Sequence, residues 1–322
     1  MDIIDKSILL ELATNCRVTY QIIANRLNLT VNAVKKRVLK MQDDGVIQRY
    51  YVYLSLAMMG AEWLLARLTL ADSHFSPDYL DHIGAHPSVF SAGYLSDGSI
   101  LVFAEYIGAK GLSELGGFLR QLPGITNVEI HTIIADRGQK IPMTINHLKV
   151  LKSLREDARM PISKISEQSA LSPRKVRDII QEFHGKVGTP IETLVDKDYK
   201  PDIQRSKAAL HFRIYWDLNA GGGNAFVVRT NWAEGKGSPE EIVQYFKKHF
   251  PLEFWFSFVA ATEPIIYCVF IINHIRESEK ILPVIRKAPN LSKIEIWVSY
   301  PLRKYIGLRE SMIDEMIANA NI

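Results

Sequence analysis

Apolar residues recur at helical spacing in two separate stretches of the chain, and the second stretch repeats the first without a gap 142 positions later. Spacings of three and four residues are typical of amphipathic helices, so the repeated pattern predicts a duplicated helical core. One charged position, an arginine, is kept in both copies. The matched pairs are Leu9 and Leu151, Leu12 and Leu154, Arg17 and Arg159, Ile23 and Ile165, Leu29 and Leu171, Val34 and Val176, and Val38 and Ile180.

The first copy predicts three helices followed by a strand that serves as wing and exit linker. Thr19 and Thr30 are placed to cap the second and third helices, because a threonine oxygen accepts from the free amides of a first turn. Gly45 ends the third helix, and a β-branched and aromatic run follows it. The predicted ranges are helices at 3–13, 20–27 and 31–43, and a strand at 46–53.

Strand and helix patterns then alternate in the order β-α-β-β-α-β. This is the order of a ferredoxin-like unit, an antiparallel sheet with two helices on one face. Its firmest element is the Asp97-Gly98 dipeptide, which favours a tight hairpin between the two central strands. The predicted strands lie at 63–70, 89–95, 100–106 and 127–134, and the predicted helices at 77–84 and 111–121.

The second half follows the same plan, with about 24 more residues between its helical and ferredoxin-like parts. Ile130 matches Ile296 at an offset of 166. A strand at 209–218 is followed by strands at 226–232, 254–261, 264–272 and 293–299, by helices near 239–248 and 276–287, and by an amphipathic segment over 305–316. The prediction is an α+β chain: winged helix-turn-helix domains at 1–50 and 142–190, alternating with ferredoxin-like βαββαβ (RAM-type) domains at 51–138 and 205–322.

Composition and charge predict a cellular compartment and a class of binding partner. Two cysteines, Cys16 and Cys268, predict no disulfide framework. Acidic residues near Met1 and the lack of a long apolar run predict a cytoplasmic protein with no membrane segment. The net charge is +4, and residues 1–50 and 142–200 each carry an excess of three positive charges. Basic character concentrated in the helical units is the footprint expected of nucleic-acid contact.

Two helices joined by a short turn, the second with a capped and basic N-terminus, describe a helix-turn-helix reader of double-stranded DNA. The second helix enters the major groove, where its first residues meet base edges and its cations meet phosphates. The predicted DNA-binding residues are Thr30, Asn32, Ala33, Lys35, Lys36, Arg37 and Lys40 in the first copy and Ser172, Arg174, Lys175 and Arg177 in the second.

Six segments carry a resemblance to a known family: Ile4–Leu12, Asn15–Thr19, Ile23–Thr30 and Arg37–Ile47 in the first copy, and Asp157–Ile162 and Leu171–Val176 in the second. They resemble the winged helix-turn-helix of the Lrp/AsnC transcription regulators, which usually carry one such domain per chain, so this chain resembles two fused protomers. The resemblance implies sheets that pair subunits and a cleft for an amino-acid-like effector. Carried onto this sequence, the effector-binding residues are Gly93, Tyr94, Ser96 and Asp97. The matching Ala261–Pro264 stretch lacks the glycine.

The two predicted reading helices have diverged in charge. Ala33, Lys36, Arg37 and Lys40, which the pattern places on one exposed face, become Lys175, Asp178, Ile179 and Glu182. Since each phosphate contact contributes to affinity through counterion release, acids there weaken docking. The sequence therefore favours the first copy as the principal reader and the second as weaker or specialised.

Other functions remain as alternatives. Sirohaem decarboxylases share this two-domain architecture, but Phe90–Phe103, where histidine and arginine are expected for that chemistry, contains neither. A third interpretation is a metabolite-sensing assembly module. The sequence predicts no catalytic residue, metal or cofactor. It predicts a homodimer formed through the ferredoxin-like sheets, and it leaves open whether the sheets pair within one chain or between two chains.

Overall fold

The computed structural model describes residues 1–72, 75–184, 207–217, 219–233, 235–320 and 322. The ends of two predicted domains, residues 185–190 and 205–206, and Leu218 of a predicted strand lie outside these residues. The chain divides into two packed units. The helical unit comprises Met1–Met59, Asp136–Gly221 and Arg309–Ile322, and the sheet unit comprises Gly60–Ala135 and Gly222–Leu308.

The elements follow the predicted order in both halves. The first half contains helices α1 (Ile3–Thr14), α2 (Tyr20–Leu27) and α3 (Val31–Asp43), strand β1 (Ile47–Leu54), helix α4 (Leu56–Met59), strand β2 (Ala61–Leu70), helix α5 (Pro77–Gly84), strands β3 (Val89–Tyr94) and β4 (Ile100–Ile107), helix α6 (Gly108–Gln121) and strand β5 (Ile125–Ile133). The second half contains helices α7 (Ile145–Glu156), α8 (Ile162–Ser169) and α9 (Pro173–His184), strands β6 (Leu210–Trp216) and β7 (Asn224–Trp232), helix α10 (Pro239–His249), strands β8 (Phe254–Val259) and β9 (Ile265–Ile272), helix α11 (Ser278–Ile285), strands β10 (Leu291–Ser299) and β11 (Arg303–Lys304), and helix α12 (Leu308–Asn319).

The helical cores form where the repeat predicts them. Thr19 accepts a hydrogen bond from the amide of Ile22 at 3.2 Å, and Thr30 accepts one from Ala33 at 3.1 Å, so both predicted caps are present. Asn28 takes the left-handed conformation that ends α2. Most apolar side chains of the repeat are fully buried, and three of them, Leu29, Leu171 and Ile180, are half-buried. The fully buried ones are Leu9, Leu12, Ile23, Val34, Val38, Leu151, Leu154, Ile165 and Val176.

Strands β1 and β6 pair with each other in an antiparallel two-stranded sheet, with Val52 opposite Phe212 and Leu54 opposite Leu210. All four of these side chains are buried. The pairing places β6 in the helical unit, whereas the domain boundaries drawn along the sequence assign it to the second ferredoxin-like domain. Packing departs from chain order here because a strand that leaves each helical copy finds its hydrogen-bond partner in the other copy.

Helix α12 also belongs to the helical unit. Its Ile313 is fully buried, and its acidic side chains meet arginines from both halves. Glu310 pairs with Arg49 at 3.0 Å and with Arg155 at 3.2 Å, and Asp314 pairs with Arg155 at 2.8 Å. The predicted amphipathic segment thus packs on its own chain.

The sheet unit contains two antiparallel sheets, with strand orders β11-β3-β4-β2-β5 and β10-β7-β9-β8. Their edges join at two places that the repeat relates to each other. Ile133, at the end of β5, bridges to Ala260 after β8, and Leu95 after β3 bridges to Ser299 at the end of β10. The ferredoxin-like sheets therefore pair within one chain, the first of the two arrangements that the sequence left open.

An ionic cluster lies where the two halves of the sheet unit meet. Arg229, 6% exposed, pairs with Glu129 and with Glu295, both at 2.5 Å. His131, 2% exposed, has its Nε2 3.2 Å from Glu129 and its Nδ1 2.7 Å from Glu263. Buried charges are tolerated only when paired, so Glu129 of the first half supplies a counter-charge that the buried Arg229 of the second half needs.

None of the helices in the described ranges combines the length and the apolar character that crossing a bilayer demands.

We predict that Glu129→Gln makes the free energy of unfolding less dependent on pH in the acidic range. Contacts with His131 and Arg229 outweigh burial and lower the pKa of Glu129 from 4.5 to about 2. A lowered carboxyl pKa contributes stability that is fully present above the unfolded value and is lost as pH falls towards the folded one. E129Q should therefore be less stable than the wild type in urea unfolding at pH 7, with the gap closing between about pH 4.5 and 2.

The control is Glu114→Gln, an exposed carboxylate on α6 that should leave the pH profile unchanged. A gap between E129Q and the wild type that stays constant over that pH range would contradict the assignment.

Candidate nucleic-acid interface

Helix α3 presents a basic and polar surface at its N-terminal half. Thr30 caps it, and its apolar side, with Val34 and Val38, is buried against the rest of the first helix-turn-helix. Asn32, Lys35, Lys36 and Lys40 are exposed and Ala33 is half-buried. Within the described ranges, Lys35 and Lys36 form no ion pair, so their charges are available to a polyanion.

Two of the predicted DNA-binding cations have partners inside the first copy. Arg37 reaches the start of α1, where its Nη1 lies 2.7 Å from Asp2 and 2.6 Å from Asp5. These two carboxylates raise the pKa of Arg37 and hold its side chain against α1. Lys40 pairs with Asp44 one turn later, at 2.5 Å, and both side chains are exposed. Arg37 therefore supports the fold, and Lys40 is partly neutralised.

Helix α9 exposes its cations at the matching end. The Ser172 hydroxyl accepts from the amide of Lys175 at 3.2 Å, as a capping side chain does. Arg174, Lys175 and Arg177 are exposed, and none of them forms an ion pair with any other described residue. Asp178 is exposed beside them. The structure thus places all the predicted residues of the second copy at one helix end.

The exposed face predicted from the sequence needs one correction, at the position that Arg37 shares with Ile179. Ile179 is fully buried, so it is a core residue of α9 and no part of an exposed face. The reason lies in the helix opposite. Asp2 caps α1 and Asp5 lies in its first turn, so two carboxylates face Arg37 there, whereas α7 has Thr144 and His147 at the matched positions.

The same difference between α1 and α7 explains Glu182 of α9. Glu182 takes the place of Lys40, and its carboxylate lies 2.8 Å from Nε2 of His147. Its negative charge is therefore directed at α7. Of the two acids that the sequence sets against DNA binding, Asp178 alone lies free on the surface of the described second copy.

The four predicted effector-binding residues are already engaged within the sheet unit. A side chain at Gly93 would meet Leu302 at 2.7 Å. The Tyr94 hydroxyl bonds to the backbone of Ser76, and Ser96 exchanges two hydrogen bonds with Val298, at 2.8 and 3.0 Å. Asp97 accepts from Ser99 and pairs with Arg67 at 2.6 Å.

Sequence reasoning missed the contacts that join the two helix-turn-helix domains. Arg17 and Arg159 each donate to backbone carbonyls of the opposite copy, and β1 pairs with β6 between them. One signal was available: this arginine is kept at a matched, polar position in both copies. Its partners were invisible because they are backbone oxygens, which carry no residue identity.

Comparisons with known proteins agree with this geometry. The family model for winged helix-turn-helix DNA-binding domains matches residues 1–48 and 143–184. The HTH-type transcriptional regulator LrpA of Mycobacterium tuberculosis is 27% identical over 149 residues, 44% of this chain and 97% of that protein. An HTH-type transcriptional regulator of Pyrococcus furiosus is 37% identical over 62 residues, 19% of this chain and 42% of that protein.

Among solved structures, the siroheme decarboxylase NirDL superposes with a TM-score of 0.54 at 11% identity, over 99% of this chain and 100% of that one. At this identity the likeness shows a shared fold. The fold of this chain thus also occurs in a siroheme decarboxylase.

We predict that Ile179→Arg destabilises the chain strongly and Asp178→Arg does not. Ile179 is fully buried, so an arginine there would place a charge in the apolar core of the second copy and should cost about 3 kcal/mol or more. The neighbouring Asp178 is exposed and serves as the matched control, with an expected change within about 0.5 kcal/mol. Thermal unfolding of the two variants distinguishes them, and equal melting temperatures would restore the exposed face predicted from the sequence.

Proposed function

We propose that this chain, a DNA-binding transcription regulator of the Lrp/AsnC type, binds one DNA duplex with both of its helix-turn-helix domains. The observation that carries the proposal is that α3 and α9, each capped and basic at its N-terminus, belong to one packed unit. Two such helices in one unit offer two major-groove contacts from a single chain.

The unpaired cations on α3 and α9 support DNA binding by both helices. In the described structure α3 keeps two unpaired cations, Lys35 and Lys36. Helix α9 keeps three, Arg174, Lys175 and Arg177, offset by the exposed Asp178. The ranking that made the first copy the principal reader rested on the replacement of Lys36 and Lys40 by Asp178 and Glu182. Lys40 and Glu182 have partners inside the protein, which leaves Lys36 and Asp178 as the exposed difference. We therefore propose comparable electrostatic docking by both domains.

The sequences read by the two domains should differ. Asn32 in α3 is replaced by Arg174 in α9, and Ala33 by Lys175, at the positions that first meet base edges. Asparagine pairs best with adenine and arginine with guanine, because their donors and acceptors match those edges. A single chain thus favours an operator with two unlike halves. Pairing of the sheets inside the chain supports this, since a homodimer would need other surfaces.

Regulation by an amino-acid-like effector is also part of the proposal. An effector at the β3–β4 turn would compete with Val298 for Ser96 and with Arg67 for Asp97. Binding would therefore open one of the two joins between the sheets. A thermal shift of the wild type with an amino acid, lost in Asp97→Asn, is the expected result.

Sirohaem decarboxylation is the second candidate, favoured by the full-length fold likeness to NirDL. One histidine and two arginines lie where the two halves of the sheet unit meet, namely His131, Arg67 and Arg229. All three are paired with carboxylates. Incubation of the protein with sirohaem, followed by mass spectrometry of the tetrapyrrole, tests this candidate. A decarboxylated product together with no selected DNA sequence would replace the regulator by the enzyme.

The main test is selection of bound duplexes from a random DNA pool. An enriched motif with two unlike halves supports reading by one chain. A palindrome would indicate two chains that each use the same domain, and no enrichment would reject DNA reading.

We predict that Lys35→Ala with Lys36→Ala, and separately Arg174→Ala with Arg177→Ala, weaken binding of the selected duplex to a similar degree. The α3 pair removes two phosphate contacts, whereas the α9 pair removes one, from Arg177, together with the base contact proposed for Arg174. The slope of log affinity against log salt should therefore fall by about two in the α3 variant and by about one in the α9 variant. Lys110→Ala, an exposed lysine in the sheet unit, is the control and should leave the slope unchanged. A slope that changes only in the α3 variant would restore the first copy as principal reader.

A further inference from the structure

Arg17 and Arg159, which occupy the same position in the two copies, form a reciprocal contact between the helix-turn-helix domains. Nη1 of Arg17 donates to the carbonyl of Ala158 at 2.7 Å and to that of Met160 at 3.1 Å. Nη1 of Arg159 donates to the carbonyl of Cys16 at 2.5 Å. Each arginine thus holds the turn that carries the other, and we call this pair of contacts the arginine clasp.

The turns themselves are held in place on both sides. The amide of Arg17 donates to Asn15 at 2.9 Å, and that of Arg159 donates to Asp157 at 2.8 Å. The amide of Cys16 also donates to the carbonyl of Phe212 on β6 at 2.9 Å. The clasp is therefore anchored to the strand pair that lies between the domains.

Aromatic faces cover both guanidinium groups. Arg159 lies over the ring of Tyr20 at 4.4 Å, and Arg17 lies 5.9 Å from the ring of Phe212. Burial lowers the pKa of Arg17, which marks a charge withdrawn from water. Such arginines are unavailable to DNA phosphates, and they bind rigid backbone oxygens instead.

Each reading helix is connected to the clasp through a strand. Helix α3 packs on β1 and α9 packs on β6, while α1 and α7 pack on the strand of the opposite half. A movement of α3 relative to α9 would thus have to break the β1–β6 ladder or the arginine contacts.

We propose that Arg17 and Arg159 are positioning residues that fix the spacing of the two recognition helices, so that one chain accepts two unlike half-sites at a single separation. The inference rests on the proposed function. Protein geometry of this kind sets half-site spacing, since the major groove returns to the same side of the duplex once per helical turn.

The first experiment measures affinity for the selected operator with base pairs inserted between its halves. An insertion of about five base pairs turns one half-site to the opposite side of the duplex. The wild type should lose roughly 100-fold in affinity, because simultaneous engagement of both domains is lost. Arg17→Ala with Arg159→Ala should lose less than about 10-fold on the same insertion, and should bind an isolated half-site as the wild type does.

The variants are chosen to separate positioning from folding. Arg17→Lys with Arg159→Lys keeps both charges and removes the guanidinium forks, so its spacing dependence should lie between those of the wild type and the alanine variant. Arg26→Ala breaks an ion pair of similar burial within the first domain, with Glu11, and should keep the full spacing dependence. Unchanged spacing dependence in both clasp variants would overturn the proposal.

A second experiment needs no DNA. Spin labels on Leu39→Cys and Gln181→Cys occupy matched, exposed positions on α3 and α9. Cys16 and Cys268 are buried, and burial raises the pKa of the Cys16 thiol to about 12, so both resist labelling. The distance distribution should be narrow in the wild type and broad in the clasp variants. A distribution that stays narrow would reject the clasp, whereas broadening without any selected DNA would reject only the proposed function.

Discussion

The antiparallel pairing of β1 with β6 is the constraint on which the helical unit depends. Each strand packs against the third helix of its own helix-turn-helix domain and also against the first helix of the opposite domain. Val52 and Leu54 of β1 lie opposite Phe212 and Leu210 of β6, and all four side chains are buried. Each domain therefore shares part of its core with a strand of the other domain, so the duplication is a feature of this fold as well as of its sequence.

The sheet unit applies the same principle with a different outcome. Arg67 and Arg229 occupy equivalent positions on β2 and β7, but their surroundings have diverged. Arg67 pairs with Asp97 and lies 4.5 Å from the ring of Trp297, whereas Arg229 is held between Glu129 and Glu295. When two identical chains pair, one substitution changes both sites. Fusion removes that restriction, so one join could become aromatic and the other ionic while each stays internally balanced.

Much of the fold was predictable because it rests on local signals. The caps at Thr19 and Thr30, the Asp97-Gly98 hairpin and the buried residues of the repeat all follow from side-chain chemistry within a few neighbouring positions. The pairing of β6 with β1 was not predictable, because the periodicity of a strand does not identify the strand that pairs with it. The same limit hid the partners of Arg17 and Arg159, which are backbone carbonyls. The domain boundaries and the individual DNA-binding and effector residues stay predictions.

The candidate DNA surface shows why counting charges along a helix misjudges its field. Along the sequence, α3 looks basic and α9 mixed, since Arg37 and Lys40 give way to Ile179 and Glu182. In the fold, Arg37 and Glu182 are each directed at the first helix of their own domain, where Arg37 meets Asp5 and Glu182 meets His147. Both side chains therefore take part in helix-to-helix contacts inside the protein. What remains for DNA is the set of cations without such partners, and both reading helices retain them. Under the proposed function, the divergence of the two copies preserves docking charge and alters the side chains at the positions expected to meet the bases.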